Sequence, residues 1–438
     1  MSGLHQDISG RALELLPEWE QTFLTEERKN IPVYCDYPDL HLAAQWEDPS
    51  LLPYYETYCK MENGLCVPHG PVDSDWICAA FSNSCADPEK TCTVLRYYFK
   101  RVLEFLRKRE RMHCSRFLGV LGHFLQDSVI PVHTVNNSMI HQLFPEQGDR
   151  SMPIHTLGDH WPFDPGKVTG PVRLMGRTVE EALFHTTEAI MSHLEENMAS
   201  IVPFFQSIRS GNKEECDRIS QAYNAYAVTL TASVWHTLFS LAFEQRTSDE
   251  VHSFRVGRPL TESAMIRSCS PKYDRKQFID RGIKFYPTLY PESDCCRSCL
   301  ATGPYPFEPV VGCVYDGKGN LTAPVLKIKG ERHSSSNAIA SSAYGIASYR
   351  VPGTIFRELE VYAGIHADSV SNKEVIFAVW CYETAEPVLA IGKCSRDQEA
   401  LHFKIALPEE CRSISLLTAD GDDQLSALWM DPVLKYRN

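Results

Sequence analysis

The sequence predicts a helical N-terminal domain followed by a C-terminal β-sandwich. The chain has 438 residues, which is enough for two or three domains. Apolar residues recur at helical spacing through about residues 1–245. From about residue 308 to residue 438 they alternate with polar residues, as in half-buried strands. Residues 246–307 between them are rich in proline and cysteine and are typical of a connector.

Five segments of the first domain have the apolar spacing of helices. The first of them ends before Pro17, because proline cannot continue a helix. The third is apolar on most sides, which indicates burial. The five segments are 8–16, 95–106, 117–126, 179–198 and 222–243.

Two segments of the last 130 residues or so carry the strand signal most clearly. Residues 375–379 and 401–405 alternate as half-buried strands do, and Asp-Gly turn signals separate such runs. A β-sandwich over residues 308–438 is therefore predicted.

Composition bounds the function. Hydrophobic residues make up 43% of the chain, which allows a sizeable core. The formal net charge of −13 argues against a broad nucleic-acid-binding face, although bound metal ions could still create a local cationic site. No apolar run of about 18 residues occurs, so no membrane-spanning helix is predicted. The N-terminus also lacks the basic and apolar segments of a signal peptide.

Sixteen cysteines are many for a cytosolic protein. They predict either disulfides formed in an oxidising compartment or free buried thiols. The cysteine content favours a secreted or cell-surface protein and leaves the disulfide pattern open.

Histidines and aspartates of the helical domain give the strongest functional signal. His123 and Asp127 lie four residues apart, so on a helix they share one face and could bind one ion. A proline then ends that helix, and His133 follows it. His155 and Asp159 repeat the four-residue spacing. One such pair is usually solvated or capping, but two pairs with Pro-Val-His between them favour a metal site, and these ligand types suit zinc.

These motifs resemble a known family. Gly-His-Phe-Leu-Gln-Asp at 122–127, then Pro-Val-His-Thr-Val-Asn-Asn and His-Thr-Leu-Gly-Asp, resemble the central signature of the zinc-dependent phospholipase C and single-strand nuclease superfamily. The resemblance covers about the first 245 residues and implies an all-helical fold with two or three zinc ions in a cleft. It also implies earlier ligands, which are His5 near the N-terminus, Asp39 after a proline, and His69.

The resemblance implies a complete ligand set for three ions. One zinc would take Asp39, His69, His123 and Asp127; a second would take His133, His155 and Asp159; a third would take His5 and share Asp127 as a bridge. In that family an N-terminal tryptophan also binds the third zinc, and this sequence has none there, so the third site stays open. Asp36 is an alternative ligand, but Asp39 is favoured because it follows Pro38, as the Pro-Asp step of the family does. Asp39 is also the candidate general base.

The other histidines are interpreted differently. His185 and Glu188 have the wrong spacing for a ligand pair and are predicted to lie on a helix surface. The histidines interpreted as structural are His113, His193 and His236.

Residues 308–438 resemble a carbohydrate-binding module of the galactose-binding-like, jelly-roll type called NPCBM. The resemblance rests on segment 356–365, which is similar to that module's core strand, and on the closing Trp-x-Asp-Pro within 427–434. It implies a sandwich that could tether the protein to a glycan. Trp429 could equally be a core residue and the module a structural accessory domain, since a fold does not fix a site.

Three functional hypotheses follow. The first is a zinc-dependent phosphodiester hydrolase of phospholipase C type that acts on a phospholipid or glycolipid. The second is a single-strand nuclease or nucleotidase with the same zinc core. The third is an inactive glycan-binding surface protein, against which the retention of all the proposed ligands argues. The acidic charge and the wording of the central motif favour a lipid over nucleic acid.

Overall fold

The chain divides into two compact units, Met1–Glu250 and Val251–Asn438. The computed structural model describes residues 3–36, 59–62, 65–68, 88–131, 157–158, 160–263, 310–315, 321–342, 345–381, 383–421 and 425–437. Among the described residues, helices make up most of the first unit and strands most of the second, which confirms the predicted fold class. The predicted boundaries at 245 and 308 stay predictions, because most of the connector lies outside the described residues.

The described residues of the first unit form a helical bundle around a shared buried apolar cluster. Within the described residues the α-helices are α1 (Leu4–Leu15), α2 (Glu18–Leu24), α3 (Asn30–Cys35), α4 (Pro88–Lys108), α5 (Arg111–Asp127), α6 (Val179–Ser210), α7 (Lys213–Phe243) and α8 (Ser248–Val256), the last of which continues past Glu250. A two-stranded hairpin also falls within this unit, formed by β1 (Cys59–Glu62) and β2 (Leu65–Pro68).

Each of the two longest helices extends past one predicted end: α6 continues beyond residue 198 and α7 begins before residue 222, whereas the predicted start of α6 and end of α7 are confirmed. Thr178 begins α6, because its hydroxyl accepts a hydrogen bond from the Glu181 N–H at 3.2 Å. Gly211 ends α6 in the left-handed conformation, with φ of +71°. The Asn212 side chain then accepts from the Glu215 N–H at 3.3 Å and begins α7. Gly211 and Asn212, rather than apolar spacing, therefore set the two ends that the sequence did not predict.

Helix α7 is long and apolar enough, by length and composition alone, to cross a membrane. However, 78% of its most apolar window is buried inside the protein. Core helices of globular proteins commonly have this character. The prediction that no helix spans a membrane stays a prediction.

Helices α3 and α5 pack closely at Gly119. A β-carbon added at Gly119 would lie 2.5 Å from the Ile31 carbonyl oxygen and 2.9 Å from the Tyr34 β-carbon. Glycine is therefore required by the close approach of two backbones rather than by its own conformation.

We expect Gly119→Ala to destabilise the first unit by about 1–3 kcal/mol, because the added methyl group overpacks this contact. Gly10→Ala is the matched control, since nothing lies within 4 Å of the added β-carbon in α1. That change should stabilise the helix by about 0.5–1 kcal/mol. Urea unfolding followed by far-UV circular dichroism measures the free energy of unfolding of both variants. Equal changes in that free energy would contradict the close contact between α3 and α5 at Gly119.

The second unit contains two antiparallel sheets and two short hairpins. One sheet has the strand order β10-β15-β12-β13, and the other has β14-β11-β16-β9-β4, with β3 paired to β16. The hairpins pair β5 with β6 and β7 with β8. The strands are β3 (Arg258–Pro259), β4 (Val310–Val311), β5 (Val314–Tyr315), β6 (Leu321–Thr322), β7 (Val325–Ile328), β8 (Glu331–Ser334), β9 (Ala338–Ser342), β10 (Gly345–Arg350), β11 (Phe356–Ile365), β12 (Val375–Trp380), β13 (Val388–Cys394), β14 (Leu401–Ala406), β15 (Ser413–Ala419) and β16 (Ser426–Tyr436).

The sandwich core contains the two segments that carry the carbohydrate-module resemblance, which form β11 and β16. Trp429 on β16 is 1% exposed and packs edge-on against Phe377, with ring centroids 5.3 Å apart. It is a core residue. The half-buried pattern predicted for 375–379 is wrong, because every residue of β12 is buried, whereas the β14 segment 401–405 does alternate.

Candidate metal centre

Two helices bring three of the predicted ligands together in the interior of the first unit. His5 lies in the first turn of α1, and His123 and Asp127 lie in the last two turns of α5. The three residues are buried, with 2%, 0% and 7% of their surfaces exposed. The four-residue spacing places His123 and Asp127 on one face of α5, as predicted.

The Asp127 carboxylate lies between the two imidazoles. Its Oδ1 is 3.4 Å from His5 Nε2, and its Oδ2 is 3.2 Å from His123 Nε2. The two rings lie 4.5 Å apart between centroids and are tilted by 44°. One donor atom from each residue therefore falls within 4.8 Å of the others.

These distances fit a zinc site. Ligand atoms at about 2.0–2.2 Å from a tetrahedral ion are separated from one another by roughly 3.3–3.6 Å. The 3.2 Å and 3.4 Å separations are close to that range. Two imidazole nitrogens and a carboxylate are also donors that zinc accepts. The residues present therefore fit the metal that the family resemblance implies.

A hydrogen-bonded network behind His5 fixes its ring. His5 Nδ1 lies 2.9 Å from Gln126 Oε1, and Gln126 Nε2 donates to Ser9 Oγ at 2.9 Å. Ser9 Oγ in turn donates to Cys35 Sγ at 3.0 Å, and the Cys35 thiol donates to Gln126 Oε1 at 3.4 Å. All four side chains are buried.

This network determines which ring nitrogen of His5 carries the proton, and therefore which one offers a lone pair towards Asp127. Burial raises the pKa of the Cys35 thiol, so it stays protonated and donates to Gln126. The Gln126 amide oxygen then accepts from His5 Nδ1, which places the His5 proton on that nitrogen. The lone pair of His5 Nε2 consequently points towards Asp127, as a metal ligand requires.

The remaining predicted ligands lie outside the described residues. They are Asp39, His69, His133, His155 and Asp159. The alternative, Asp36, ends α3 and accepts a hydrogen bond from the Gln6 side chain. The structure thus brings together His5, His123 and Asp127, and the rest of the ligand set stays a prediction.

The predicted surface position of His185 and Glu188 is wrong. Both residues are buried, and His185 Nδ1 lies 2.6 Å from the Met175 carbonyl oxygen. The buried face of α6 is wider than the apolar spacing in the sequence predicts, so it includes these two polar side chains. His193 has the expected structural setting, since it stacks on Tyr226 at 3.8 Å and burial lowers its pKa to about 4.

The sequence interpretation missed the supporting residues Ser9, Cys35 and Gln126. Two of them carried a usable signal. Ser9 lies four residues after His5 and so shares its helix face, and Gln126 directly precedes Asp127 in the central motif. Cys35 carried none, because only the packing of α3 against α1 and α5 brings it to the site.

No protein-family model and no curated protein matches the chain. Among solved structures it is similar to Clostridium perfringens alpha-toxin from an avian strain, at 10% identity over 100% of this chain and 85% of that chain, with a TM-score of 0.34. It is also similar to the CBM51 of Clostridium perfringens GH95 in complex with methyl-galactose, at 18% identity over 29% of this chain and 92% of that chain, with a TM-score of 0.24.

A third similar structure contains a catalytic domain and two CBM51 modules of Clostridium perfringens ZmpB. The identity is 16%, the match covers 29% of this chain, and the TM-score is 0.25. This chain spans only 14% of that one.

Proposed function

We propose that the first unit is a zinc-dependent phosphodiester hydrolase that acts on a phospholipid or glycolipid. The observation that carries the proposal is the position of Asp127, whose two oxygens lie beside two different buried histidines, His5 and His123. Asp127 would hold zinc together with His5 on one side and His123 on the other, and zinc held there would supply the positive charge that displacement at a phosphate diester requires.

The chain's own residues would bind and orient the metal. When bound, zinc would polarise phosphate oxygens and lower the pKa of a bound water. The burial of His5, His123 and Asp127 keeps their electrostatic interactions strong, because little water screens them. Asp39 is the proposed general base, and the other predicted ligands complete the proposed set.

The proposed substrate is a lipid diester rather than nucleic acid. The net charge of −13 should repel a long polyanion away from the bound ions. A glycan-binding role for the second unit would deliver the enzyme to a cell surface, where lipids are presented. That role is part of the proposal.

The test is metal content and substrate preference of the purified full chain. We expect about two to three zinc ions per chain and a higher kcat/KM for short-chain phosphatidylcholine than for a single-stranded oligonucleotide under identical zinc and salt. An oligonucleotide preference of about tenfold, worth about 1.4 kcal/mol, would favour the nuclease hypothesis. Less than one zinc per chain after zinc is offered would reject the metal site, and would favour the inactive glycan-binding protein.

We expect Gln126→Leu to weaken zinc binding by about 10- to 100-fold, because His5 loses the acceptor that orients its ring. Competition with a zinc chelator measures this affinity directly. Gln21→Leu is the control, since that amide donates only to backbone carbonyls near the surface. Unchanged zinc affinity in a folded Gln126→Leu protein would show that the network does not support the site.

A further inference from the structure

Two cysteines meet beside paired strands of the second unit. Cys381 directly follows β12, and Cys411 lies just before β15, which pairs antiparallel with β12. Both are thiols in the structure, and they are only 0% and 2% exposed. Their sulfur atoms lie within 4.8 Å of each other.

Backbone hydrogen bonds hold both cysteines in place. The Cys381 N–H donates to the Pro387 carbonyl at 2.8 Å. The Cys411 carbonyl accepts from the Gly353 N–H at 2.7 Å. The two sulfurs are therefore brought together by ordered backbone rather than by mobile chain ends. Little rearrangement separates this arrangement from a covalent bond, whose geometry is restrictive.

The carboxylate of Glu383 lies beside the two thiols, and these three groups are of the kinds that can hold a metal ion. The Glu383 carboxylate already accepts hydrogen bonds from the Ser413 hydroxyl at 3.1 Å and from the Arg412 and Ser413 N–H groups at 3.3 Å and 3.4 Å. A structural zinc site takes four protein ligands. Around this pair, the part of the chain that the structure describes offers three. The contacts therefore favour a disulfide over a metal ion.

We propose that Cys381 and Cys411 form a disulfide that pins β12 to β15 and closes the segment containing β13 and β14. The oxidant is an external disulfide, RSSR. One cysteine thiolate attacks an RSSR sulfur and releases the first RSH, whose proton comes from that cysteine. The second cysteine loses its proton, displaces the other RS group and releases the second RSH. Two thiols are thus oxidised to one disulfide, and RSSR is reduced to two RSH.

Burial determines when this reaction can occur. Both sulfurs are shielded in the folded sandwich, so exchange has to take place before the sheets close. The bond therefore requires folding in an oxidising compartment, in agreement with the expectation of a secreted or cell-surface protein.

Peptide mapping of the full chain tests the proposal. The protein is produced under oxidising conditions, unfolded, blocked with iodoacetamide without reductant, and digested. We expect a peptide pair linked through Cys381 and Cys411, and alkylated Cys394, which is a buried thiol of the same unit and serves as the control. Alkylation of both proposed partners, or linkage of either to another cysteine, would overturn the proposal.

Variants give a second measurement. Cys381→Ser and Cys411→Ser should each lower the Tm of the second unit by about 5–10 °C, and the double variant should be no less stable than the single ones. Cys394→Ser should have a smaller effect. Additive losses, or one equivalent of zinc released from the wild-type protein by a thiol reagent, would instead indicate separate thiols or a metal site. The peptide map of the wild-type protein decides the matter even if a variant does not fold.

Discussion

Asp127→Asn is expected to remove both bound zinc and phosphodiester hydrolysis. The change keeps the shape of the side chain but replaces a carboxylate oxygen, and its charge, between His5 and His123. Several kcal/mol of transition-state stabilisation should be lost, so activity should fall by roughly three orders of magnitude. Elemental analysis and kcat/KM measure the two effects.

A readout independent of turnover accompanies this prediction. Zinc that binds only the folded protein raises the Tm of the wild-type chain, and the rise should disappear in Asp127→Asn. Asp36→Asn is the matched control, because Asp36 lies near the site but accepts a hydrogen bond from Gln6. It should keep zinc and most of the activity. Similar small losses in both variants would show that Asp127 is not a ligand.

Glu20→Gln is expected to destabilise the first unit by about 1–3 kcal/mol. Glu20 on α2 is fully buried, and its Oε1 lies 2.6 Å from His236 Nδ1 on α7. His236 Nε2 lies 2.6 Å from Glu250 Oε1, so two carboxylates bracket one imidazole. The amide of glutamine weakens the buried hydrogen bond to His236, while Glu250 still pairs with that imidazole, so the cost is that of one hydrogen bond to a charged group.

Urea unfolding followed by far-UV circular dichroism measures this loss. Glu18→Gln changes an exposed carboxylate of the same helix and should alter the free energy of unfolding by less than about 0.5 kcal/mol. A Glu20→Gln protein as stable as Glu18→Gln would contradict the assigned pairing.

The same pair predicts how stability depends on pH. Burial raises the pKa of Glu20 from 4.5 to about 7. Burial alone lowers the pKa of His236, but the hydrogen bonds and charges of Glu20 and Glu250 outweigh it, so that pKa lies above 6.5. Both groups hold protons more tightly in the folded state, so their stabilisation is lost as pH rises.

These pKa shifts determine the pH range over which the stability of the first unit changes. The Glu20 contribution is complete below pH 4.5 and lost by about pH 7, and the His236 contribution is complete below pH 6.5 and lost above it. The lowered pKa of Glu250 acts in the opposite sense, since its contribution is lost as pH falls. The difference in unfolding free energy between wild type and Glu20→Gln should therefore shrink from about pH 5 to pH 8. A difference in unfolding free energy that instead grows from pH 5 to pH 8 would contradict this prediction.

The sequence alone determined the fold class and the central motif. Helical spacing in the first part of the chain and the alternation at residues 401–405, which form β14, indicated that class, because local periodicity follows which face each element buries. The four-residue spacing of His123 and Asp127 was sufficient to place both on one face of α5, because helix geometry is fixed.

Only the tertiary structure decided which residues lie against the face of α5 that carries His123 and Asp127. His5 is separated from His123 by more than one hundred residues, and nothing local brings α1 against α5. Gln126, Ser9 and Cys35 orient His5 through contacts between three helices, and their roles depend on packing rather than on their own spacing. The buried pairing of Glu20 with His236 and the meeting of Cys381 with Cys411 arise in the same way. Contacts between distant segments are set by how whole elements pack, and periodicity along one element carries no information about its neighbour.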